Sequence, residues 1–195
     1  MWKHAAQFGP STQPGVTLVE LIICLAILSI LLGFAVPSLS SLQKRSQATV
    51  AINWVVSSVV FARHAAITRN TPVTLCPSRN GVACGGSWHE GMIAFTDPNQ
   101  NRRVDANDVR LQRFLFPVEG ATLKWRAFRN QQYLQMTAEG FTNFQNGNFV
   151  YCPGDKDVRF ARQLVINVQA RTRLSSDIDH DGIVEDRNGR DLTCN

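Results

Sequence analysis

The sequence predicts an α+β fold: one long N-terminal helix, apolar in its first half and amphipathic in its second, packed on a C-terminal domain of antiparallel sheets. Three observations predict it. Val16 to Val36 is a run of 21 residues whose only charge is Glu20. Beyond Pro37 apolar residues recur at helical spacing, and after Asn70 short runs of period two alternate with turn residues. With 195 residues, 44% hydrophobic and 18% charged, the chain has enough for one domain core plus an appended segment, which excludes a disordered or many-span membrane protein.

Residues 1–15 (MWKHAAQFGPSTQPG) are polar and carry Lys3 and His4. Pro10, Pro14 and Gly15 oppose a continuous helix there, so the segment reads as a leader. The apolar helix over residues 16–36 would be roughly 30 Å long, enough to cross a bilayer core. A secretory signal peptide has a shorter apolar stretch and a small-residue cleavage site behind it, so this arrangement favours a retained helix. A carboxylate at membrane depth costs about 2.5 to 3.5 kcal/mol on insertion scales. Glu20 is therefore expected to be functional and paired, the alternative being a carboxylate that snorkels to the interface.

Gly15, Val16, Thr17, Leu18, Val19, Glu20 and Leu21 resemble the prepilin peptidase motif of type IV pilins and type II secretion pseudopilins. The resemblance implies cleavage between Gly15 and Val16 and N-methylation of Val16, which stands where the family usually has Phe. It also gives assembly roles to Glu20, fifth after the cut, and to Pro37, twenty-second after it. The partner implied for Glu20 is the α-amino group of a neighbouring subunit.

Residues 37–70 read as an amphipathic helix with Ile52, Val55, Val56, Val59, Ala62 and Ala66 on one face. Lys44 and Arg45 read as a solvated pair, or as a contact with the membrane surface or another subunit. Residues 71–195 read as a β-rich head. The expected strands are Val73–Cys76, Met92–Thr96, Arg110–Phe116, Ala121–Phe128, Phe149–Cys152 and Gln163–Leu174, with turns at Asn80-Gly81 and Asn146-Gly147. The run ARHAAITRNTPVTLCPS, then Cys84, Trp88 and Gly91 before MIAFTDPNQNRRVD, resembles the GspH/FimT branch of minor pilins and pseudopilins. That resemblance implies a long pilin helix, transmembrane then amphipathic, carrying a two-sheet β-sandwich-like head. The cysteines show no C-x-x-C spacing. In an oxidising compartment one of three possible connectivities pairs Cys76 with Cys84 and Cys152 with Cys194, leaving Cys24 a thiol in lipid.

QLVINVQARTRL alternates as a single strand would, with Leu164, Ile166, Val168 and Ala170 on one face and Arg171 and Arg173 on the other. Ala170 to Arg173 resembles the G-R-x-R motif of DNA-binding FimT-type pilins, with Ala in place of Gly. Lys156, Arg159 and Arg162 lie nearby in sequence, so double-stranded DNA is a candidate partner through phosphate contacts. A solvated basic strand edge is the alternative reading. Asp177, Asp179, Asp181 and Glu185 stand at spacings that suit Ca2+, although Asn188 occupies the position of the bidentate Glu. Asp97, Asn99, Asn101, Asp105 and Asp108 offer a second such set, with Arg102 where the loop wants Gly. Asp- and Asn-rich turns also form without metal.

The formal net charge of +5 permits acidic partners without demanding them. No enzyme signature is present, and His4, His64, His89 and His180 lie far apart without a nucleophile motif. The expectation is a non-enzymatic subunit of a type IV pilus or secretion pseudopilus that requires no cofactor. By resemblance its partners are other minor pilins, the major pilin or pseudopilins, the prepilin peptidase and an inner-membrane assembly platform. The same resemblance implies a place in the bacterial inner membrane, with the head in the periplasm, and assembly into a pilus or pseudopilus.

Overall fold

The computed structural model describes residues 15–194. Thr17 starts the fold: its hydroxyl accepts a hydrogen bond from the backbone N–H of Glu20 at 3.2 Å, capping helix α1 (Leu18–Arg69). The chain divides into two compact units, with the boundary between Leu42 and Gln43. In the first, every side chain from Val16 to Gly33 is exposed, and the uniformly apolar character gives this stretch no single face to bury. The leader expected ahead of Gly15, residues 1–14, lies outside the described residues.

In the second unit the helix does have a buried face. Ala48, Ala51, Ile52, Val55, Val59, Ala62 and Ala66 recur three or four apart and are all buried, while His64 is exposed. Eight strands follow: β1 (Val73–Pro77), β2 (Met92–Thr96), β3 (Arg110–Phe114), β4 (Thr122–Ala127), β5 (Leu134–Met136), β6 (Gly147–Cys152), β7 (Arg162–Ile166) and β8 (Thr172–Leu174). They form two antiparallel four-stranded sheets, ordered β3-β2-β1-β5 and β4-β6-β7-β8.

The helix and both sheets share one core, to which Leu75 and Met92 come from the first sheet and Leu123, Phe149 and Leu164 from the second. Within it Trp88, Trp125 and Phe149 stack with centroids 4.5 to 6.3 Å apart, and Trp54 of the helix meets Phe116 edge-on at 5.4 Å. The outer face of the first sheet is covered too. Cys76, Ile93 and Phe95 pack there with Cys84, Val104 and Tyr133, which explains why β1 and β2 are buried at every position.

Three readings of the sequence need correction. Gln163–Leu174 is two strands, not one: Asn167 to Arg171 form a turn, Ala170 takes φ 56°, and β8 folds back so that Leu164 faces Leu174. Asn146-Gly147 is not a turn, because Gly147 opens β6. A Cβ there would lie 2.3 Å from the carbonyl oxygen of Arg126, so the glycine serves a close approach of backbones. Strand β5, absent from the expected set, pairs with β1 through Gln135 and Thr74.

Candidate functional site

The N-terminal segment places Gly15 and Val16 just ahead of the helix and Glu20 as its third residue. Thr17 and Glu20 thus match the S/T-x-x-E pattern of a helix start, a signal present in the sequence but overshadowed by the apolar run around it. In that first turn the helix dipole favours a negative charge by about 0.3 to 1 kcal/mol at exposed sites. Glu20 is exposed and forms no ion pair with any described residue, so within the described chain its carboxylate lacks a cationic partner. Pro37 lies inside α1, and Cys24 is exposed with a free thiol. This helix is long and apolar enough to cross a membrane.

The structure pairs Cys76 with Cys84 and Cys152 with Cys194. The first bridge closes a loop ordered by Asn80, whose side-chain oxygen accepts from the N–H groups of Val82 and Ala83. The second ties the C-terminal segment to β6, where Val184 and Leu192 pack against Val150 and Ala161 on the outer face of the second sheet.

Lys44, on α1 within the second unit, is ion-paired with the β-rich head. Its ammonium pairs with Asp155, lies 4.0 Å from Asp157 and sits 5.2 Å from the centre of the Phe160 ring. Its hydrogen bond holds the Asp155 carboxyl below the usual carboxylate range. Arg159 pairs with Asp157 at 2.7 Å and lowers that carboxyl as well.

The five basic residues singled out in sequence therefore separate into two groups. Arg159 is ion-paired, and Arg162 is half-buried, donating to the carbonyls of Arg159 and Ala161. Burial first, then the charge of Arg45, pulls the Arg162 guanidinium below its ordinary value. Lys156, Arg171 and Arg173 are exposed, with Arg171 in the β7–β8 turn and Arg173 on the edge strand β8 rather than on one shared strand face.

The acidic segments also separate. Ligand oxygens of Asp177, Asp179 and Glu185 lie within 4.8 Å of one another, whereas Asp181 is outside that group. Glu185 is 4% exposed and accepts from the N–H groups of Ile178 and Asp179. In the other set, Asp97 is fully buried and both of its oxygens are engaged. It accepts from the Thr74 hydroxyl and Gln135 amide, each at 2.8 Å, and from the N–H groups of Asn101 and Arg102. The amides of Asn99 and Asn101 donate to Asp105, lowering its carboxyl, while desolvation raises that of Asp108. Asp97 thus organises the loop that closes over the first sheet, a role its position in a turn did not disclose.

Comparison with known proteins places this geometry. Residues 51–170 match the family described as type II transport protein GspH, and residues 10–36 match the prokaryotic N-terminal methylation motif. The pilin-like protein PilA1 of Thermus thermophilus is 37% identical over 97 residues, which are 50% of this chain and 56% of the relative, so the match spans little more than half of that protein. The crystal structure of the type IV minor pilin FimU of Pseudomonas aeruginosa superposes with a TM-score of 0.51 at 15% identity, covering 69% of this chain and 91% of that one. That likeness concerns the fold: one long N-terminal helix followed by two antiparallel sheets. Since more than half of its residues fall within that family model, with the methylation motif ahead of them, the chain belongs to the GspH family of minor pilins and pseudopilins.

Proposed function

We propose that the chain is a structural, non-enzymatic subunit of a type IV pilus or a type II secretion pseudopilus, acting in filament assembly or priming near the tip. In this reading prepilin peptidase cuts between Gly15 and Val16, and Val16 is then methylated. An inner-membrane platform moves the helix from the bilayer into a bundle with other minor pilins and the major pilin or pseudopilins, while the head stands in the periplasm. The observation that carries it is Glu20: the one charge in the apolar run from Val16 to Val36, exposed and without a cationic partner among the described residues of its own chain. Such a group in hydrocarbon calls for a partner from outside, and a neighbouring α-amino group supplies one at the helix end.

The test is assembly in cells. Glu20→Leu should leave the head folded and the chain in the membrane but exclude it from sheared filaments. Mass spectrometry of the mature chain should find methylated Val16 first. Normal incorporation of Glu20→Leu, or a mature chain that starts elsewhere, would reject the reading.

A second reading, capture of double-stranded DNA, draws support from Arg171 and Arg173, both exposed on the edge hairpin. Replacing both with Ala should weaken duplex binding and flatten its salt dependence. Unchanged binding removes the hairpin from consideration.

A further inference from the structure

Two adjoining depressions on the head meet at Phe128. The first, about 340 Å³, is lined by Arg102, Phe128, Arg129, Tyr133 and Phe144 together with amide side chains. The second, about 400 Å³, continues past Phe128 to Arg126, Asn148, Gln163, Asn167 and Arg187. No carboxylate lines either one. The four arginines form no ion pair with any described residue, unlike Arg79, Arg159 and Arg190, which do. The lining of these two depressions is therefore cationic, with the carboxylates of Asp186 and Asp191 in the neighbouring depression beyond Arg126 and Arg187.

The track also exposes rings. Phe144 is 81% and Phe128 63% exposed, and the guanidiniums of Arg102 and Arg129 lie 5.3 and 5.4 Å from the ring centres of Tyr133 and Phe128. Arg102, Arg129 and Phe144 have φ of 62°, 59° and 60°. A left-handed backbone is unfavourable for side chains of this size, and an exposed phenyl ring recovers none of that energy by burial. In addition, the Oδ1 of Asn148 is buried without a hydrogen-bond partner.

A ligand for this surface needs negative charge along its length, flat faces to stack on the rings, and polar edges for the amides. An acidic peptide brings charge and polar groups but no series of flat faces to stack on the rings, and a duplex hides the faces of its bases. A single strand supplies all three. We propose that this cleft binds single-stranded nucleic acid, with bases stacked on Phe128 and Phe144 and phosphates held by Arg102, Arg126, Arg129 and Arg187. The site shares no residue with Arg171 and Arg173 and does not rest on the filament reading.

The experiment is fluorescence anisotropy of the detergent-solubilised full chain with labelled oligo-dT of roughly 20 nucleotides, against a duplex of equal length. Oligo-dT should bind more tightly than duplex. Phe128→Ala and Phe144→Ala should each lower that affinity at least about fivefold, and Phe144→Trp should retain it. Arg102→Gln with Arg129→Gln should reduce the salt slope by about 0.7 for each phosphate that no longer meets a guanidinium. Circular dichroism of each variant should match that of the unmodified chain, since the substituted side chains are exposed. Four outcomes overturn the proposal: no oligo-dT binding, equal binding of duplex, indifference to both Phe substitutions, or a weakening confined to Arg171→Ala and Arg173→Ala. Should the Phe variants bind oligo-dT normally but no longer co-purify with other filament subunits, the cleft is a protein interface and the proposal fails.

Discussion

The two disulfides should differ in what they contribute, and the structure says by how much. Cys152 and Cys194 are 42 residues apart, Cys76 and Cys84 only 8. In the chain-entropy model, opening the long loop costs about 4 kcal/mol at 25 °C and opening the short one about 2.5 kcal/mol. Local structure widens the gap. The short loop keeps its Asn80 turn and the hydrogen bond from the Ser78 N–H to the Gly91 carbonyl when the sulfurs are removed. The C-terminal segment relies on few buried side chains, chiefly Val184 and Leu192. Each such side chain contributes about 1.5 to 3 kcal/mol by burial, against an ordering cost of about 1 to 2 kcal/mol for every residue fixed. Without its bridge the segment after Ser175 should therefore leave the sheet before the head unfolds. The assay is urea unfolding in detergent followed by tryptophan fluorescence, paired with limited proteolysis, on Cys152→Ala/Cys194→Ala and Cys76→Ala/Cys84→Ala. The first pair should lose more stability, by about 1.5 kcal/mol or more, and become cleavable between residues 176 and 190. If the short bridge proves the costlier loss, or the C-terminal segment stays protected, loop entropy is not what these bridges act on.

Asp97→Ala should destabilise the head by at least about 3 kcal/mol, because the buried Thr74 hydroxyl loses its acceptor, one N–H of the Gln135 amide loses its own while the amide keeps Thr74, and two backbone N–H groups are left unpaired. A denaturant midpoint within error of the parent would show that the loop is held by something else. Acid should also destabilise the head. Asp155 and Asp157 have carboxyls depressed below the ordinary 3.8, so their contribution is present above that pH and is lost as pH falls through their lower folded values. Lys44→Met should shift that acid loss toward 3.8 at Asp155, read as a smaller pH dependence of melting in that range. If Asp177, Asp179 and Glu185 gather Ca2+, about 1 mM CaCl2 should raise the melting temperature over EDTA and Asp179→Asn should erase the gain. Identical melting curves reject calcium.

What the sequence disclosed of the fold was what local periodicity can carry. The apolar span, the helical stripe from Ile52 to Ala66 and the alternation of Leu123 and Trp125 against Lys124 and Arg126 each depend on neighbours a few residues away, and each lies where that pattern puts it. Strand β5 has three residues, too few for a period to register, and its partner β1 lies some 61 residues earlier at Gln135 and Thr74. The β7–β8 hairpin hid for a different reason. Leu164 and Leu174 face each other at an even spacing, so folding back preserved the alternation of one straight strand. Its turn uses Ala170 in a left-handed conformation that ordinarily calls for Gly or Asn, and turn chemistry read from residue type passes over an alanine.

The candidate sites follow the same division. Gly15, Val16 and Glu20 stand out in the sequence because a processing motif and a helix entry are both written within a handful of consecutive residues. Charge depends on folding: of Lys156, Arg159, Arg162, Arg171 and Arg173, close in sequence, Arg159 is held by Asp157 two residues away and Arg162 turns into backbone carbonyls, which a count of charges along the chain does not locate. Lys44 meets Asp155 across 111 residues, a pairing that no spacing rule reaches. Conversely, Arg102, Arg126, Arg129 and Arg187 come from separate loops and a strand and form no run, yet they line two adjoining depressions free of carboxylates. On a head whose basic residues outnumber the acidic ones only modestly, net charge says little about what binds. The cations left without a carboxylate after folding mark the surfaces available to an anion: Arg171 and Arg173 do so on the edge hairpin, and Arg102, Arg126, Arg129 and Arg187 do so beside exposed phenyl rings.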